Sequence, residues 1–442
     1  MASGVRPDSS PAANVDGASR GLGAQETPAP SGRKFVRSVA GVLAFNGFTM
    51  SINGIGAPWI AKSFHLGESG IAGLFAWISL SAIGALGLSR MIDRLGRRRM
   101  VLVCIAGTAV SALAAALATN IAAFTVCEIA LYAFIGATVS GCIVILAEEL
   151  AIEERARGQS WGGLGTGLGG GLCLLAMPMV ASHHSWRWML ALASAMGVVA
   201  VWRAARVFPE SGRWQRAAAS GATSASNFYD VFGHLYRRRA ITILVCSFLG
   251  TIASVAASSW AYFHLVSVVK LAPGAASILM LIGGGVGMLG FPLAARGCER
   301  YGRIPTIFVA GMMTGLGALA FYWGPPAQLG LRWLWIEVTY CIFTAALSAG
   351  QVGGNSLGTE LFPTAIRGVM MGWFALIGAA AAISAQTLIA VLAVRLGGLS
   401  IVVGYLSLLA IPNAIIVALL LPETRGLSLE AAAMEEAFQK SQ

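Results

Sequence analysis

Charge is what this sequence has least of. Asp, Glu, Lys and Arg make up 11% of its 442 residues and hydrophobic residues 57%, where a soluble domain is about a quarter charged. That shortfall excludes a string of soluble domains and makes the bilayer the expected solvent. Acid is scarcer than base, 19 residues against 30. The seven cysteines (104, 127, 142, 173, 246, 298 and 341) include no C-x-x-C pair. Neither a disulfide framework nor a metal cluster is therefore expected, and no cofactor is called for. No nucleophile, acid pair or metal cluster stands among the apolar stretches, which argues against an enzyme. Residues 1–34 lack the apolar core of a signal peptide. Rich in Ser, Ala, Pro and Gly, they read as a disordered cytoplasmic tail.

Long apolar runs are what the sequence has in quantity. A spanning helix needs about 20 mostly apolar residues, because lipid offers backbone groups no partner outside the helix. Twelve runs qualify: about 38–60, 70–91, 99–118, 121–146, 160–181, 187–207, 240–264, 274–295, 304–325, 332–356, 368–393 and 399–421. Their connections are too short for a further domain. With both termini inside, all but five of the 30 Lys and Arg face the cytoplasm; Lys62, Arg187, Lys270, Arg332 and Arg395 are the exceptions. This asymmetry predicts a multi-pass protein of the plasma membrane with cytoplasmic termini. It also accounts for the net charge of +11 without nucleic acid. Glycine phrases that copy nucleotide-binding fingerprints occur at 17–23, at Gly165-Gly167-Gly170 and at Gly285-Gly287-Gly290. None follows a strand, and the last two lie in spans, where small residues serve helix packing.

The remaining charge is patterned. Arg90-x-x-Asp93-Arg94-x-Gly96-Arg97 recurs as Arg296-x-x-Glu299-Arg300-x-Gly302-Arg303, every matched position 206 residues on. "EELAIEERARG", with Glu148, Glu149 and Arg157, ends the fourth span; "ELFPTAIRG", with Glu360 and Arg367, ends the tenth. "FPESGRW" with Glu210 follows the sixth span, and "LPETRG" with Glu423 and Arg425 follows the twelfth. Three charged phrases repeated in order mark a parallel duplication of six spans. It divides the chain into a six-helix bundle at 35–210, a cytoplasmic central loop at 211–239, a second six-helix bundle at 240–426 and a cytoplasmic tail at 427–442. Asp93 and Glu299 stand among arginines at span ends, able to pair with them and with helix N-termini. The set predicts a reversible cytoplasmic gate tying the two bundles together, worth roughly a few kcal/mol.

On these phrases the chain resembles the major facilitator superfamily from about residue 35 to 430. "PESGRW", "PETRG" and "ELFPTAIRG" are most similar to its sugar-porter and metabolite:proton symporter branches, the latter including aromatic-acid symporters. The resemblance implies an all-α membrane protein of twelve transmembrane helices in two pseudo-symmetric six-helix bundles. These would rock about a central site, exposing it to each side in turn. Ser89 and Ala295 stand where many relatives begin the repeated phrase with glycine. "EELAIEERARG" lacks its partner's proline and is one residue longer, which leaves the gate role open between Glu148 and Glu149.

Two acids lie inside spans, Glu128 in the fourth and Glu337 in the tenth. Ionisable groups there are costly and usually functional. Glu128 stands about seven residues from the outer end of its span, roughly 10 Å deep, and Glu337 is shallower, close to Trp335 and Arg332. The resemblance adds that relatives carry an acid in a Gly-aromatic-Asp phrase of span one, facing an arginine of span four, and that this pair handles the coupled proton. Here Gly47-Phe48-Thr49 fills the phrase without the acid, and Asn46 takes the place of the earlier acid of aromatic-acid symporters. Counting twenty residues back from Glu148 puts Glu128 where the arginine would be. Two readings stay open. Either Glu128, with Glu337 as a second candidate, binds the coupled proton, or coupling is lost and Asn46 and Thr49 serve substrate hydroxyls in a facilitator.

Polar and aromatic residues on the half-helices facing the centre complete the candidate site: Asn46, Thr49, Asn53, Trp161, Trp260, His264, Gln351 and Trp373. Asn53 and Gln351 stand out because unpaired amides facing lipid are costly, whereas Trp333 and Trp335 read as interfacial. No Lys or Arg lies deep in a span to receive a carboxylate. The residues therefore favour a neutral or cationic substrate, or an acid carried protonated, while the resemblance suggests an organic acid. Span seven, "TIASVAASSWAYFHLVS", lacks the paired-glutamine phrase of hexose carriers. The sequence thus predicts a transporter of a small organic metabolite, an organic or aromatic acid or similar, coupled to protons, with a monomer compatible. A multidrug or organic-cation exporter and an uncoupled sugar-type facilitator are the alternatives.

Overall fold

Among the described residues, twelve helices are long and apolar enough to cross a membrane. The computed structural model describes residues 32–150, 152–208, 229–324, 332–362 and 364–425. The helices of the first half are α1 (Arg33–Ser63), α2 (Glu68–Ile92), α3 (Arg97–Leu117), α4 (Ile121–Leu146), α5 (Ser160–His183) and α6 (Arg187–Val207). Those of the second are α7 (Arg237–Val268), α8 (Pro273–Arg300), α9 (Arg303–Trp323), α10 (Arg332–Gly354), α11 (Val369–Arg395) and α12 (Leu399–Leu420). They coincide with the twelve apolar runs, although α1 begins inside the stretch expected to be tail. Its first turn is anchored by Phe35, which is buried edge-on against Phe208 with ring centroids 6.0 Å apart. The rest of that stretch, residues 209–228 and residues 427–442 lie outside the described residues. Of the expected central loop, a single 3-10 turn at Asp230–Phe232 leads into α7, which starts at Arg237 rather than at 240.

Successive helices alternate in direction, so Arg97, Arg237 and Arg303 gather at one end of the molecule, the basic face. The opposite end is the far face. Inside the spans, hydroxyls bond to the carbonyl one turn back: Thr108 donates to Cys104, Thr138 to Phe134 and Ser407 to Val403. Such local bonds keep a polar side chain satisfied where no water is available. The mates α2 and α8 both break near their middles, at Leu80 and at Met288-Leu289.

Helix packing depends on backbone approach. A Cβ on Gly165 would stand 2.3 Å from the Ala40 carbonyl oxygen, and one on Gly169 1.9 Å from that of Ala44. These contacts lock α1 onto α5. The second half joins α8 to α10 in the same way, with Gly287 against Thr344 and Gly290 against the Ala345 carbonyl. The glycine phrases at 165–170 and 285–290 are therefore packing devices, in which Gly167 and Gly285 face open space. The repeated charged phrase owes its own glycine to a different need. Gly96 (φ 105°) and Gly302 (φ 112°) make the turns before α3 and α9, in a region that side chains other than glycine avoid.

Contact between the halves is concentrated toward the far face. There α11 packs on the Glu68–Ser79 segment of α2 and only lightly on the segment from Ser81 onward. The Pro273–Gly287 segment of α8 packs on α5.

Gly169→Ala drives a methyl into the Ala44 carbonyl, and overpacking of this kind costs about 1–3 kcal/mol. The variant is expected to lower the melting temperature of the purified protein. Gly167→Ala, with open space and a better helix former, is expected to leave it unchanged or raise it.

Candidate functional site

Polar side chains in a dry span must pair with one another, so their gathering places mark the candidate site. Helices α1, α2, α4 and α5 of the first half and α7, α8, α10 and α11 of the second enclose a cavity of ≈ 470 Å³, a size suited to a small organic molecule. Its polar wall includes Ser51 and Asn53 on α1, Tyr132 on α4, Ser258, Ser259 and Tyr262 on α7, Tyr340 on α10 and Gln386 on α11. Phe75, Ile78, Leu174 and Met280 supply apolar surface, and among the described residues no Lys, Arg, His, Asp or Glu lines the cavity. Most hydroxyl hydrogens there are already engaged. Ser51 donates to Gly47, Ser79 to Phe75, Ser258 to Ser254, Tyr132 to Met50 and Tyr262 to Pro273, each to a backbone carbonyl.

Behind this wall sits Glu128. It is 1% exposed, and its Oε2 accepts a hydrogen bond from Asn53 Nδ2 at 2.7 Å. Its Oε1 and the Oδ1 of Asn53 are buried without a hydrogen-bond partner. Two residues that the sequence singled out separately thus form one unit, with the amide between the carboxyl group and the cavity. The ring of Tyr132, one turn along α4, adjoins the pair. Asn46 and Thr49 are also buried on α1 but do not line the cavity. The Thr49 hydroxyl donates to the Phe45 carbonyl, and neither polar atom of Asn46 is hydrogen-bonded.

The other candidates are dispersed. Trp260 is fully buried against Phe75 and donates its indole N–H to Gln386 Oε1 at 3.2 Å, bracing that amide from behind. His264 lies in the second half's own packing, with Nδ1 2.7 Å from Ser400 Oγ and its ring against Phe321 and Tyr322. Gln351 lines a different cavity of ≈ 530 Å³ within the second half toward the basic face, together with Ser247 and Asn413. Trp161 is exposed, and Trp373 packs edge-on against Phe232. Glu337 is half-buried with Cys341 Sγ 3.6 Å away, so it does not mirror Glu128. Tyr132, Tyr262, Tyr340 and Gln386 were missed. Gln386 carried the signal that drew attention to Gln351, an amide in an apolar span. The tyrosines carried none, since a tyrosine suits an interface equally well.

The far side of the cavity is shut by aromatic and polar contacts between the halves. Trp59 stacks on Tyr262 with centroids 6.1 Å apart, and Phe75 meets Trp260 at 5.1 Å. Glu68, at the start of α2, accepts a hydrogen bond from the Leu399 N–H at 2.7 Å. That N–H opens α12 and is presented by the turn at Gly397 (φ 80°) and Gly398 (φ 150°). A carboxylate there satisfies an orphan donor and the helix dipole together.

On the basic face the repeated charges join helices within one half. Glu423 accepts from the backbone N–H of Arg303 and Ile304, both at 2.9 Å, and from those of Thr424 and Arg425, both at 3.0 Å. Arg303 donates to Glu360 at 3.0 Å, and Glu360 also bonds the Thr424 hydroxyl. The ends of α9, the α10 helix and the chain after α12 are thereby tied. In the first half Arg98 reaches the Ala205 carbonyl at 2.7 Å. Among the described residues these bonds lie within one half, and none of them is a pair spanning the bundles. The glycine turn aims the first N–H groups of α9 at Glu423 of the same half, and Arg90, Arg296, Glu299, Arg300 and Arg425 are exposed. Gly96, Arg97 and Glu149 occupy helix ends of the first half on this face. The side chains of Asp93, Arg94, Glu148, Arg157, Glu210 and Arg367 lie outside the described residues. Partial burial raises the pKa of Glu423, but the four backbone N–H groups outweigh it and hold the carboxyl below the ordinary carboxylate range.

The chain matches the Major Facilitator Superfamily model over residues 39–386, and it belongs to that superfamily. It is 25% identical over 376 residues to a gallate transporter of Pseudomonas putida, covering 76% of this chain and 80% of that one. It is 23% identical over 381 residues to a gentisate transporter of Corynebacterium glutamicum, with 81% of each covered. Among solved structures, the inward-open xylose transporter XylE from E. coli superposes with a TM-score of 0.64 at 18% identity, covering 92% of this chain and 99% of that one. The nucleoside transporter NupG gives 0.68 at 14% identity, covering 87% and 98%. These two share the fold. The protein is a multi-pass membrane transporter rather than an enzyme.

Removing the cap with Glu68→Ala costs the far-closed state about 0.5–2 kcal/mol. Spin labels on the α1–α2 and α11–α12 loops are expected to show a larger population at long separation. The Glu423 contribution has a definite pH sign. Because its folded pKa is lowered, its stabilisation is complete above the ordinary carboxylate range and disappears as pH falls through the lowered value. The melting-temperature gap between the natural protein and Glu423→Gln is therefore expected to close on acidification.

Proposed function

We propose that this transporter is a proton-coupled symporter of a small aromatic or related organic acid, working in the plasma membrane with its basic face in the cytoplasm. One observation carries the reading: a buried carboxyl group, Glu128, is hydrogen-bonded to an amide that lines an otherwise uncharged cavity shared by both halves. A carboxyl group so placed can take a proton while the cavity is open to one side and release it when the cavity opens to the other. The aromatic side chains Phe75, Tyr132, Tyr262 and Tyr340 suit a flat ring, and the gallate and gentisate carriers support an acid as cargo. The positive charges of the basic face support a cytoplasmic orientation, which makes this conformation inward-facing. An organic-cation exporter is disfavoured, because among the described residues no acidic side chain reaches the cavity surface.

The uncoupled facilitator keeps one observation in its favour: Asn46 and Thr49 stand where relatives carry acids, and neither can bind a proton at ordinary pH. Uptake of a labelled aromatic carboxylate into proteoliposomes separates the two. With one proton per anion, a gradient of one pH unit supports about tenfold accumulation. Glu128→Gln is expected to abolish accumulation while preserving counterflow exchange. Accumulation by the variant at the natural level would move the proton site elsewhere, and merely downhill uptake by the natural protein would establish the facilitator.

A further inference from the structure

The ≈ 530 Å³ hollow inside the second half breaks a rule that hydroxyls obey elsewhere in the spans. Thr108, Thr138 and Ser407 each donate to a carbonyl one turn back, because a dry span offers no other partner. Ser247, Thr251 and Ser254 of α7 and Thr314 of α9 line the hollow, and their hydroxyls make no hydrogen bond among the described residues. The amides of Gln351 on α10 and Asn413 on α12 are unengaged as well. The Asn413 oxygen is buried without a partner. Its NH₂ lies over Gly250, where a Cβ would stand 3.0 Å away, so the glycine leaves the amide room. Six polar side chains from four helices thus line one space with their hydrogen-bonding capacity unused. Polar groups held in a protein interior without partners are costly, so this wall is suited to a polar guest.

The guest's chemistry follows from the wall. Gln351 is exposed, and Ser247, Thr251 and Ser254 are partly so, which opens these groups to a ligand. Among the described residues no charged side chain lines the hollow. Hydroxyls and amides both donate and accept. Such a set matches the hydroxyl groups of a ligand better than a carboxylate, which only accepts. Phe374 and Met371 add one flat and one adaptable apolar surface. On α10, Gly350 and Gly354 present bare backbone, and a Cβ on either meets nothing within 4 Å. A hydroxylated ring fits this combination.

Position links the hollow to the central cavity. Ser247, Thr251, Ser254 and Ser258 follow one another at four, three and four residues along one face of α7, and Ser258 lines the central cavity. On α10, Tyr340 of the central cavity and Gln351 of the hollow are the same eleven residues apart, about 16 Å of helix. The hollow therefore continues the wall of the central cavity toward the basic face. At the matching level of the first half Phe45, Ile105, Ile145 and Leu146 are buried in one apolar cluster, so the duplication did not impose it. We propose that the hollow is a second binding site, which takes the ring hydroxyls of the transported molecule once it leaves the central cavity toward the basic face. This rests on the aromatic-acid transport proposed above and narrows the cargo. A hydroxylated ring engages both spaces, and a bare one engages the central cavity alone.

The test counts sites on the purified full chain by calorimetric titration in anaerobic buffer. The probes are gallate (ring hydroxyls and a carboxylate), benzoate (the carboxylate alone), pyrogallol (the hydroxyls alone) and xylose. Two sites are expected for gallate, one each for benzoate and pyrogallol, and none for xylose, which has no flat face for Phe374. Gly350→Leu, which fills open space, should remove the pyrogallol site and one gallate site while leaving benzoate binding unchanged. The paired change Thr314→Val and Gln351→Leu removes hydrogen-bonding groups without closing the hollow, and should weaken pyrogallol about tenfold. Gln386→Leu, at the central cavity, should weaken benzoate and spare pyrogallol. Pyrogallol held equally well by the hollow variants would lie elsewhere and overturn the second site. A single gallate site with no pyrogallol site would also overturn it, leaving a hollow filled by water and the aromatic-acid reading intact. A hollow that takes xylose and not pyrogallol would overturn its assignment to the transported ring. Failure of benzoate to bind, with gallate and pyrogallol confined to the hollow, would instead sink the aromatic-acid reading.

Discussion

Lipid cannot hydrogen-bond, and most of this structure follows from that constraint. It makes each of the twelve apolar runs a helix, because no other single segment satisfies its own backbone there. It also removes the hydrophobic force between helices, so close packing must hold them. Gly165 and Gly169 let α5 ride on the carbonyls of α1, and Gly287 and Gly290 do the same for α8 on α10. The same constraint sends polar side chains inward to find each other: Asn53 with Glu128, Trp260 with Gln386 and His264 with Ser400. Hydroxyls without such a mate fold back on their own helix.

The two ends of the molecule are held by different physics. The far face closes through ring contacts and one carboxylate on a helix N-terminus, contacts that join one half to the other. The charges of the basic face bind the helices of the second half to one another through Glu423, Arg303 and Glu360. Each half can then move as a body, with its own ends tied by bonds distinct from those that join the halves at the far face. An equilibrium of this kind needs interactions that differ between its states by only a few kcal/mol, and the contacts at the far face are of that size.

Duplication built the frame, and its symmetry stops at the cavity. Gly96 and Gly302 make the same turn, and α2 and α8 break at matching points. The carboxyl groups of the mates α4 and α10 differ nonetheless. Glu128 is buried against an amide, whereas Glu337 is half-buried beside a cysteine. The polar groups at the cavity are thereby divided between unlike halves, the first holding the carboxyl–amide pair and the second an amide braced by an indole.

The sequence by itself determined the spans, the duplication, the packing role of the glycine phrases and the presence of Glu128 and Asn53 as polar groups inside spans. Those features are written in length, period and the cost of a polar group in lipid, all of which are local quantities. Gln351 and Gln386 show where local reasoning ends. Both are amides in apolar spans, and rotation about the helix axis puts one in the central cavity and the other in a separate hollow of the second half. The destination of Glu423 was equally hidden, because its partners are backbone N–H groups 120 and 119 residues away, and every residue has one. Which charges join the halves, which tyrosines face the cavity and which amide touches Glu128 were decided by tertiary structure. Each depends on the angle at which one helix lies against another, and no single span carries that angle.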